Sequence, residues 1–256
     1  GRRQLPLIVP ANEQAAGFMA AGYSRSTGQV GVALVTSGPG ATNMVTPVRD
    51  CAADSIPMVV ICGQVPRAAI GSDAFQEAPI ASVMSAVAKH VFLVTDPEKL
   101  EGTIRAAFEL ARTGRPGPVV VDIPKDVQNW QGIYRGSGTA PSIGVYQKRM
   151  RELAARRLSE AQLDSFFAML GKAKRPLIYA GGGIIHAGAA SELREFSQLL
   201  GIPVVTTLMG IGAVDTYDDL SLRMLGMHGS AFANYAVDDS DFVIALGARF
   251  DDRVAG

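Results

Sequence analysis

The residues best suited to chemistry in this chain stand at helix starts and just after strand-like runs. Glu13 opens a small, apolar helical pattern, Ala15-Ala16-Gly17 followed by Met19, Ala20 and Gly22. A carboxylate in a first helical turn is a candidate proton donor or acceptor, its pKa set by desolvation against the helix N-terminus. A surface helix-start glutamate has the same spacing. Ser37-Gly38-Pro39-Gly40-Ala41-Thr42-Asn43 resembles a dinucleotide fingerprint whose last glycine has become Asn. Such a loop lets backbone N–H groups and a helix N-terminus meet an anion, although Pro39 removes one donor. An ordinary tight strand–helix turn is the competing reading. Gly181-Gly182-Gly183 permits the close approach of a ligand, or serves as a helix-packing turn. Arg249-Phe250-Asp251-Asp252-Arg253 directly follows an apolar run, where α/β proteins bind ligands; a local salt-bridge knot is the alternative. His90, His186 and His228 are far apart and form no ligand pattern, and no Gly-x-Ser-x-Gly elbow indicates nucleophile–histidine chemistry.

The elements that must position these residues are legible as runs of Val, Ile and Leu stopped by Gly, Pro or Ser: 30–37, 57–63, 118–123, 177–181, 203–207 and 242–247. Continuous apolar runs suit parallel strands buried on both faces. A further strand-like stretch, Leu5–Val9, precedes the first helix. Helical spacing marks Asn12–Ser26, with Asn12 as N-cap, and also Ala41–Ala53, Leu100–Arg112, Glu160–Leu170 and Ala189–Leu200. Strands alternating with helices of this length predict an α/β fold with mainly parallel sheets. A polar, Gly- and Ser-rich stretch divides the chain, so the reading is a first domain at 1–127, a linker at 128–147 and a second domain at 148–256. The basic stretch Lys148–Arg157 reads as a solvated helix entry rather than a polyanion site. Both ends look cut, so a fragment of a longer polypeptide is expected.

Composition narrows the function class. Of 256 residues 48% are hydrophobic, enough for a full core and against disorder of the whole chain. Lys+Arg and Asp+Glu both number 24, which removes the basic footprint of a general nucleic-acid binder and weakens a case for an anionic membrane surface. Cys51 and Cys62 are too few for a disulfide scaffold. No apolar run reaches membrane-span length and no signal-peptide pattern opens the chain, so a soluble, intracellular protein is expected.

Longer motifs carry a family resemblance. Asn12-Glu13-Gln14-Ala15-Ala16-Gly17, Val35-Thr36-Ser37-Gly38-Pro39-Gly40-Ala41-Thr42-Asn43 and Asp73-Ala74-Phe75-Gln76-Glu77 resemble the N-terminal domain of thiamine-diphosphate enzymes. Gly63-Gln64-Val65-Pro66 and Gly114-Arg115-Pro116-Gly117-Pro118-Val119 narrow the resemblance to the acetolactate synthase large, catalytic subunits. Gly226-Met227-His228-Gly229-Ser230 and Gly247–Val254 resemble the FAD-binding central domain of that family.

The resemblance implies a thiamine-diphosphate pyrimidine-binding domain, then a Rossmann-like FAD-binding domain. It implies a transferase that decarboxylates pyruvate and condenses it with a second 2-oxo acid in branched-chain amino-acid biosynthesis. Glu13 matches the glutamate that hydrogen-bonds N1′ of the aminopyrimidine and promotes the tautomer that takes the C2 proton. Gly38, Pro39, Gly40 and Asn43 would shape the pyrimidine side. Gln76, matched as catalytic, stands near the reaction channel with Pro66, Phe75 and Lys125. Arg115, Gly181, Gly182, Gly183, Thr206, Thr207 and Leu208 match positions lining a structural FAD. So do Met227, His228, Gly247, Ala248, Arg249, Asp251 and Arg253. The resemblance further implies a homodimer or homotetramer, a possible small regulatory subunit, and a cytoplasmic protein, or a plastid or mitochondrial one in a eukaryote.

Two departures stand out. Position 12 is Asn where family members commonly have His. The family's third domain, which binds Mg²⁺ and the diphosphate, has no counterpart, so no metal ligand is assigned and the chain is expected to hold about half a site. Pyruvate oxidase and glyoxylate carboligase share the layout, but Glu13 argues against the carboligase, and the 73–77 and 249–254 runs favour the synthase over the oxidase. A non-catalytic module is the alternative from another class, with the small-residue helix 12–26 packed against a partner subunit. A nicotinamide oxidoreductase lacks its intact glycine fingerprint here. The 256-residue chain alone is therefore expected to show no carboligation and only weak binding of thiamine diphosphate. Titration calorimetry with Mg²⁺ checks this, and tight Mg²⁺-dependent binding would require the diphosphate site to be redrawn.

Overall fold

The computed structural model describes residues 6–133, 143–250 and 252–254. They fall into two compact units, Gly1–Arg156 and Arg157–Gly256. The first unit runs α1 (Glu13–Thr27), β1 (Gly31–Val35), α2 (Pro39–Thr42), α3 (Val45–Asp54), β2 (Met58–Gln64), α4 (Ile80–Ser85), β3 (His90–Leu93), α5 (Leu100–Arg112), β4 (Pro118–Pro124), α6 (Lys125–Gln128) and α7 (Gly144–Ala155). Among the described residues its strands form one parallel sheet in the order β1-β2-β4-β3. Val59, Val119 and Val121 pack with Ala107, Leu110 and Ala111 of α5 on one face. Alternate residues of the same strands, among them Met58, Val60 and Val120, are fully buried on the other.

Helix α1 forms where its spacing predicts. Asn12 caps it by accepting from the Ala15 N–H at 2.8 Å. Gly28 ends it in the left-handed region, at φ 70°, donating to the Ser24 carbonyl. Its small residues are used within the chain: a Cβ on Gly31 would lie 2.1 Å from the Ala20 carbonyl oxygen, so α1 lies directly on the start of β1. Helix α1 also packs on α3. Gly17, Ala20 and Ala21 are thus packed within this unit, while Phe18, Met19 and Tyr23 of the same helix are exposed.

The second unit runs α8 (Glu160–Leu170), β5 (Pro176–Ala180), α9 (Gly182–His186), α10 (Ala190–Leu200), β6 (Val204–Thr206), β7 (Ser221–Met224), α11 (Ala231–Asp239) and β8 (Phe242–Leu246). Among the described residues its sheet is parallel, in the order β7-β6-β5-β8. Ile178, Val204 and Ile244 pack with Leu193 and with the ring cluster of Phe166, Phe196 and Phe242. Leu177, Tyr179 and Val205 pack with Ala233 of α11. Both units are α/β with parallel sheets, as the apolar runs predict.

Several elements differ from the sequence reading. Residues 6–9 of the expected Leu5–Val9 strand are not in the sheet, and Leu7, Ile8 and Val9 are exposed; Pro6 and Pro10 lack the donors a ladder needs. Leu5 lies outside the described residues. The expected helix Ala41–Ala53 is two helices, α2 and α3, because a continuous helix would drive the Pro47 ring into the carbonyl of Asn43. Strands β3 and β7 were not anticipated. Both are four residues long, end their sheets, and are no more than partly buried, so neither has the long apolar run of a central strand. The first unit extends to Arg156 because Tyr146 of α7 donates to the Thr113 carbonyl at 2.8 Å, and Lys89 donates to that carbonyl at 2.7 Å and to the Leu110 carbonyl. The Tyr146 bond joins α7 to the end of α5, and Lys89, just before β3, holds the same carbonyl. Of the 128–147 linker, residues 134–142 lie outside the described residues.

The α1–β1 contact yields a paired expectation. Gly31→Ala should lower stability by about 2–3 kcal/mol, because the obstructing atom is backbone. Gly22, in the same helix with nothing within 4 Å of a Cβ, should gain about 0.5–1 kcal/mol on change to Ala. Urea midpoints of the two variants check both signs.

Candidate functional site

Parallel pairing brings the carboxyl ends of β1, β2 and β4 to one edge of the first sheet, with Val35 opposite Cys62 and Gln64 opposite Pro124. The chain leaves those ends into Gly38, Pro66 and Lys125, residues singled out in the sequence. Glu13 arrives at the same edge: its Oε2 accepts from Asn43 Nδ2 at 2.9 Å. Gly38 sits at φ 55°, and a Cβ there would lie 2.5 Å from the Gln76 carbonyl oxygen. A Cβ on Gly40 would lie 2.7 Å from Thr36 Cγ2 and 3.4 Å from Glu13 Oε1. Segments around residues 13, 36–43 and 76 therefore converge, the two glycines letting the Gln76 backbone and the Thr36 side chain pack close.

The hydrogen bond from Asn43, then that from its own backbone N–H, holds Glu13 below the ordinary carboxylate range, against a smaller upward push from desolvation. Glu13 is half-buried and anionic at neutral pH. Hydrogen bonding thus wins the competition that the sequence left open.

Residues 65–79 form the excursion that carries Pro66, Phe75 and Gln76. Gln76 holds φ 59°, in the left-handed region, and the Phe75 side chain is 89% exposed. The Glu77 carboxylate ties the tip, accepting from the N–H groups of Gly71 and, at 3.1 Å, Ala74. Asp126 accepts from the Arg67 backbone at 3.0 Å and from Arg67 Nε at 2.6 Å. Sequence reasoning passed over the base of the loop. There Gln64 Nε2 donates to the Ala78 carbonyl at 3.2 Å and to Asp122 Oδ2 at 3.1 Å. Asp122 is 1% exposed, and burial pushes its carboxyl up to about 6, with the Gln64 bond pulling the other way. The signal was a single charge inside the apolar run Val119-Val120-Val121-Asp122-Ile123. The buried thiols of Cys51 and Cys62 are pushed up to about 12, foremost by desolvation, and carry no nucleophile at neutral pH.

Arg115 is not at this edge. Its guanidinium donates to Ser55 Oγ at 2.8 Å and to the carbonyls of Ala52 and Ala53 at 3.2 and 3.1 Å. That seats it over the C-terminus of α3, where the strands begin.

In the second unit, Gly181–Gly183, Thr206–Leu208 and Gly247–Arg249 follow β5, β6 and β8 and meet at the carboxyl edge of the sheet. Gly183 N–H donates to the Gly247 carbonyl at 2.9 Å, and a Cβ on Gly181 would lie 2.4 Å from that same oxygen. The triplet thus admits another chain segment, the packing-turn reading of its sequence. Thr206 is buried, and Thr207 Oγ1 accepts from the Gly210 N–H at 3.2 Å. Met227 N–H donates to the Arg253 carbonyl at 2.9 Å, and Met227 and Arg253 border an open cleft of about 450 Å³. Leu208, Met227, His228 and Arg249 are exposed, and Ala248 is partly buried. Asp252 and Arg253 approach to 3.8 Å in solvent, a weak pair. Asp251 lies outside the described residues. Among the described residues no group of three His, Cys, Asp or Glu could hold a metal ion. None of the described helices is long and apolar enough to cross a membrane.

Residues 1–86 match the family profile described as thiamine pyrophosphate enzyme, N-terminal TPP binding domain. Residues 163–256 match the profile of the thiamine pyrophosphate enzyme central domain. The chain is 48% identical over 249 residues to acetolactate synthase 2, chloroplastic, of Nicotiana tabacum, covering 97% of this chain and 36% of that protein. It is 50% identical over 245 residues to acetolactate synthase 1, chloroplastic, of Zea mays, covering 96% of this chain and 37% of that protein. It is 46% identical over 255 residues to acetolactate synthase, chloroplastic, of Arabidopsis thaliana, covering 97% and 36%. The chain thus spans little more than a third of the length of these relatives.

Asn43→Ala should return the Glu13 carboxyl upward toward its ordinary range, read by NMR titration. A depressed folded-state pKa stabilises the fold above the unfolded value, and that contribution is lost as pH falls through the folded one. The variant should therefore lose stability at neutral pH and converge with the parent in acid.

Proposed function

The chain belongs to the thiamine pyrophosphate enzymes, whose N-terminal and central domains it carries, and we propose from this that it is part of an acetolactate synthase catalytic subunit. Such an enzyme decarboxylates pyruvate and joins the two-carbon unit to a second 2-oxo acid. The observation that carries the reading is the Glu13 carboxylate, held by Asn43 with Gly40 beside its free oxygen. Glycine at 38 and 40 lets the Gln76 backbone and Thr36 pack close at the strand edge where Glu13 lies, so the segments that would hold the pyrimidine stand together there.

Thiamine diphosphate, when bound, supplies the electron sink for decarboxylation and carbon–carbon bond formation. The residues of this chain orient it and manage protons. Glu13 holds a proton in common with the aminopyrimidine ring nitrogen, a task for which an anionic, half-exposed carboxylate is suited. Asn43 fixes one carboxylate oxygen and leaves Oε1 at Gly40. Gln76 and Phe75 flank the substrate from the 65–79 loop, with Pro66 and Lys125 at the neighbouring strand ends. The Lys125 side chain, exposed and cationic, favours the carboxylate of a 2-oxo acid.

The exposed rim of the second unit, with Leu208, Met227, His228 and Arg249, supports a structural FAD at its carboxyl edge. The proposal includes Mg²⁺ ligands outside this chain, a homodimer or homotetramer, and a possible small regulatory subunit. It places the enzyme in the cytoplasm or, as in its chloroplastic relatives, in a plastid.

Glu13→Gln keeps the shape and removes the exchangeable charge. In the complete enzyme carboligation and cofactor C2–H exchange should fall about 10²–10⁴-fold, the usual loss on removing a general acid–base. Turnover and exchange near the parent's level would move the proton relay elsewhere.

A further inference from the structure

We propose that Gln64 and Asp122 are a buried positioning pair that fixes where the 65–79 loop presents Gln76 to the Glu13 pocket. Neither residue touches that pocket. Gln64 is the last residue of β2, Asp122 in β4 stands opposite Cys62 two residues earlier, and Ala78 closes the far end of the loop just before α4. The Gln64 amide bonds in three directions: Nε2 donates to the Ala78 carbonyl and to Asp122 Oδ2, and Oε1 accepts from the Val65 N–H at 2.8 Å. Two acceptors on the nitrogen and a donor on the oxygen allow only one amide orientation. One side chain therefore pins the first residue of the loop, its last turn and the neighbouring strand.

The other ties of the loop are weaker by position. Arg67 and Asp126 are 46% and 37% exposed at the side chain, where solvent screens an ion pair. The Glu77 bonds close only the tip. Gln64 and Asp122 are 6% and 1% exposed, so the bond between them is charge-assisted and screened little. Asp122 Oδ1 has no hydrogen-bond partner among the described residues. A carboxylate buried with one donor is costly and contributes little to the core. Its place is explained by what it does to Gln64: it takes one amide hydrogen and so directs the other to Ala78. The loop in turn must be placed closely, because the Gln76 backbone abuts Gly38 and Gln76 itself holds a left-handed φ.

The claim rests on the proposed site only for its catalytic consequence, and the test separates the two. In the complete enzyme, amide exchange is measured over 65–79 with kcat and KM for pyruvate, for Gln64→Met, Asp122→Leu and Asp122→Asn. Gln64→Met and Asp122→Leu should speed exchange of the loop about 10-fold or more while β4 amides keep their protection. They should lower kcat about 10- to 100-fold, the scale of a misplaced reacting group. Asp122→Asn keeps an acceptor for Gln64 Nε2 and should restore both readouts to within about threefold of the parent. If Asp122→Leu does not fold, Gln64→Met carries the comparison. Unchanged loop exchange in Gln64→Met overturns the proposal, as does an Asn variant as damaged as the Leu variant. Faster exchange in an enzyme whose parent forms no acetolactate leaves the pair standing and defeats the assigned reaction instead.

Discussion

Parallel strands cannot be closed by hairpins, so every strand of such a sheet leaves its carboxyl end on the same edge and enters a loop or helix there. That constraint organises both units. In the first, Gly38, Pro66 and Lys125 follow β1, β2 and β4, which are direct neighbours in the sheet. In-register pairing sets these three exits side by side although they are far apart in the chain. The helix before β1 runs back along it, close enough that only a glycine fits at Gly31, and so delivers Glu13 to Asn43. Glu13 is placed by a helix–strand contact at Ala20, midway along α1 and about 10 Å away by helical rise.

Glycine serves two different ends at these edges. At Gly31, Gly181 and Gly183 the missing Cβ lets two stretches of backbone touch. Gly38 does the same for the Gln76 backbone and also takes a positive φ, whereas at Gly40 the missing Cβ makes room for the Thr36 side chain beside Glu13. A glycine-rich turn after a strand has the same look in sequence in either case. The distinction lies in what stands opposite, which only tertiary structure supplies.

This explains which features could be read from residues alone. Central strands announce themselves as unbroken apolar runs because both faces are covered. β3 and β7 do not, because an edge strand buries less and tolerates polar residues such as Ser221 and Arg223. The split at residues 43–44 was legible in Pro47, whose ring forbids the continuous helix that apolar spacing suggests. Glu13 was legible as a helix-start carboxylate but not as a site residue, since Asn43 is thirty positions away. Family motifs rather than spacing selected it. The seat of the Arg115 guanidinium on the end of α3 was not legible, because Ser55 and the Ala52 and Ala53 carbonyls lie some sixty positions earlier in the chain. Asp122 was legible in principle, as one charge in a strand otherwise buried on both faces, and no family motif was needed to notice it.

Two carboxylates of the first unit are shifted in opposite directions by one rule. Glu13 remains half-exposed and receives a side-chain and a backbone hydrogen bond, so its charged form is favoured. Asp122 is sealed in the sheet with a single donor, so desolvation dominates and its neutral form persists up to about pH 6. A group that exchanges protons with a ligand must be reachable and easily recharged, which water and Asn43 provide. A group that only orients a neighbour gains from exclusion of water, because its one bond is then undiluted by solvent competition. Burial is therefore informative about role. In the proposed site the exposed member of the two is the one that would meet the ligand, and the hidden member would act through Gln64, whose amide is held in one orientation with Asp122 standing where water does not reach.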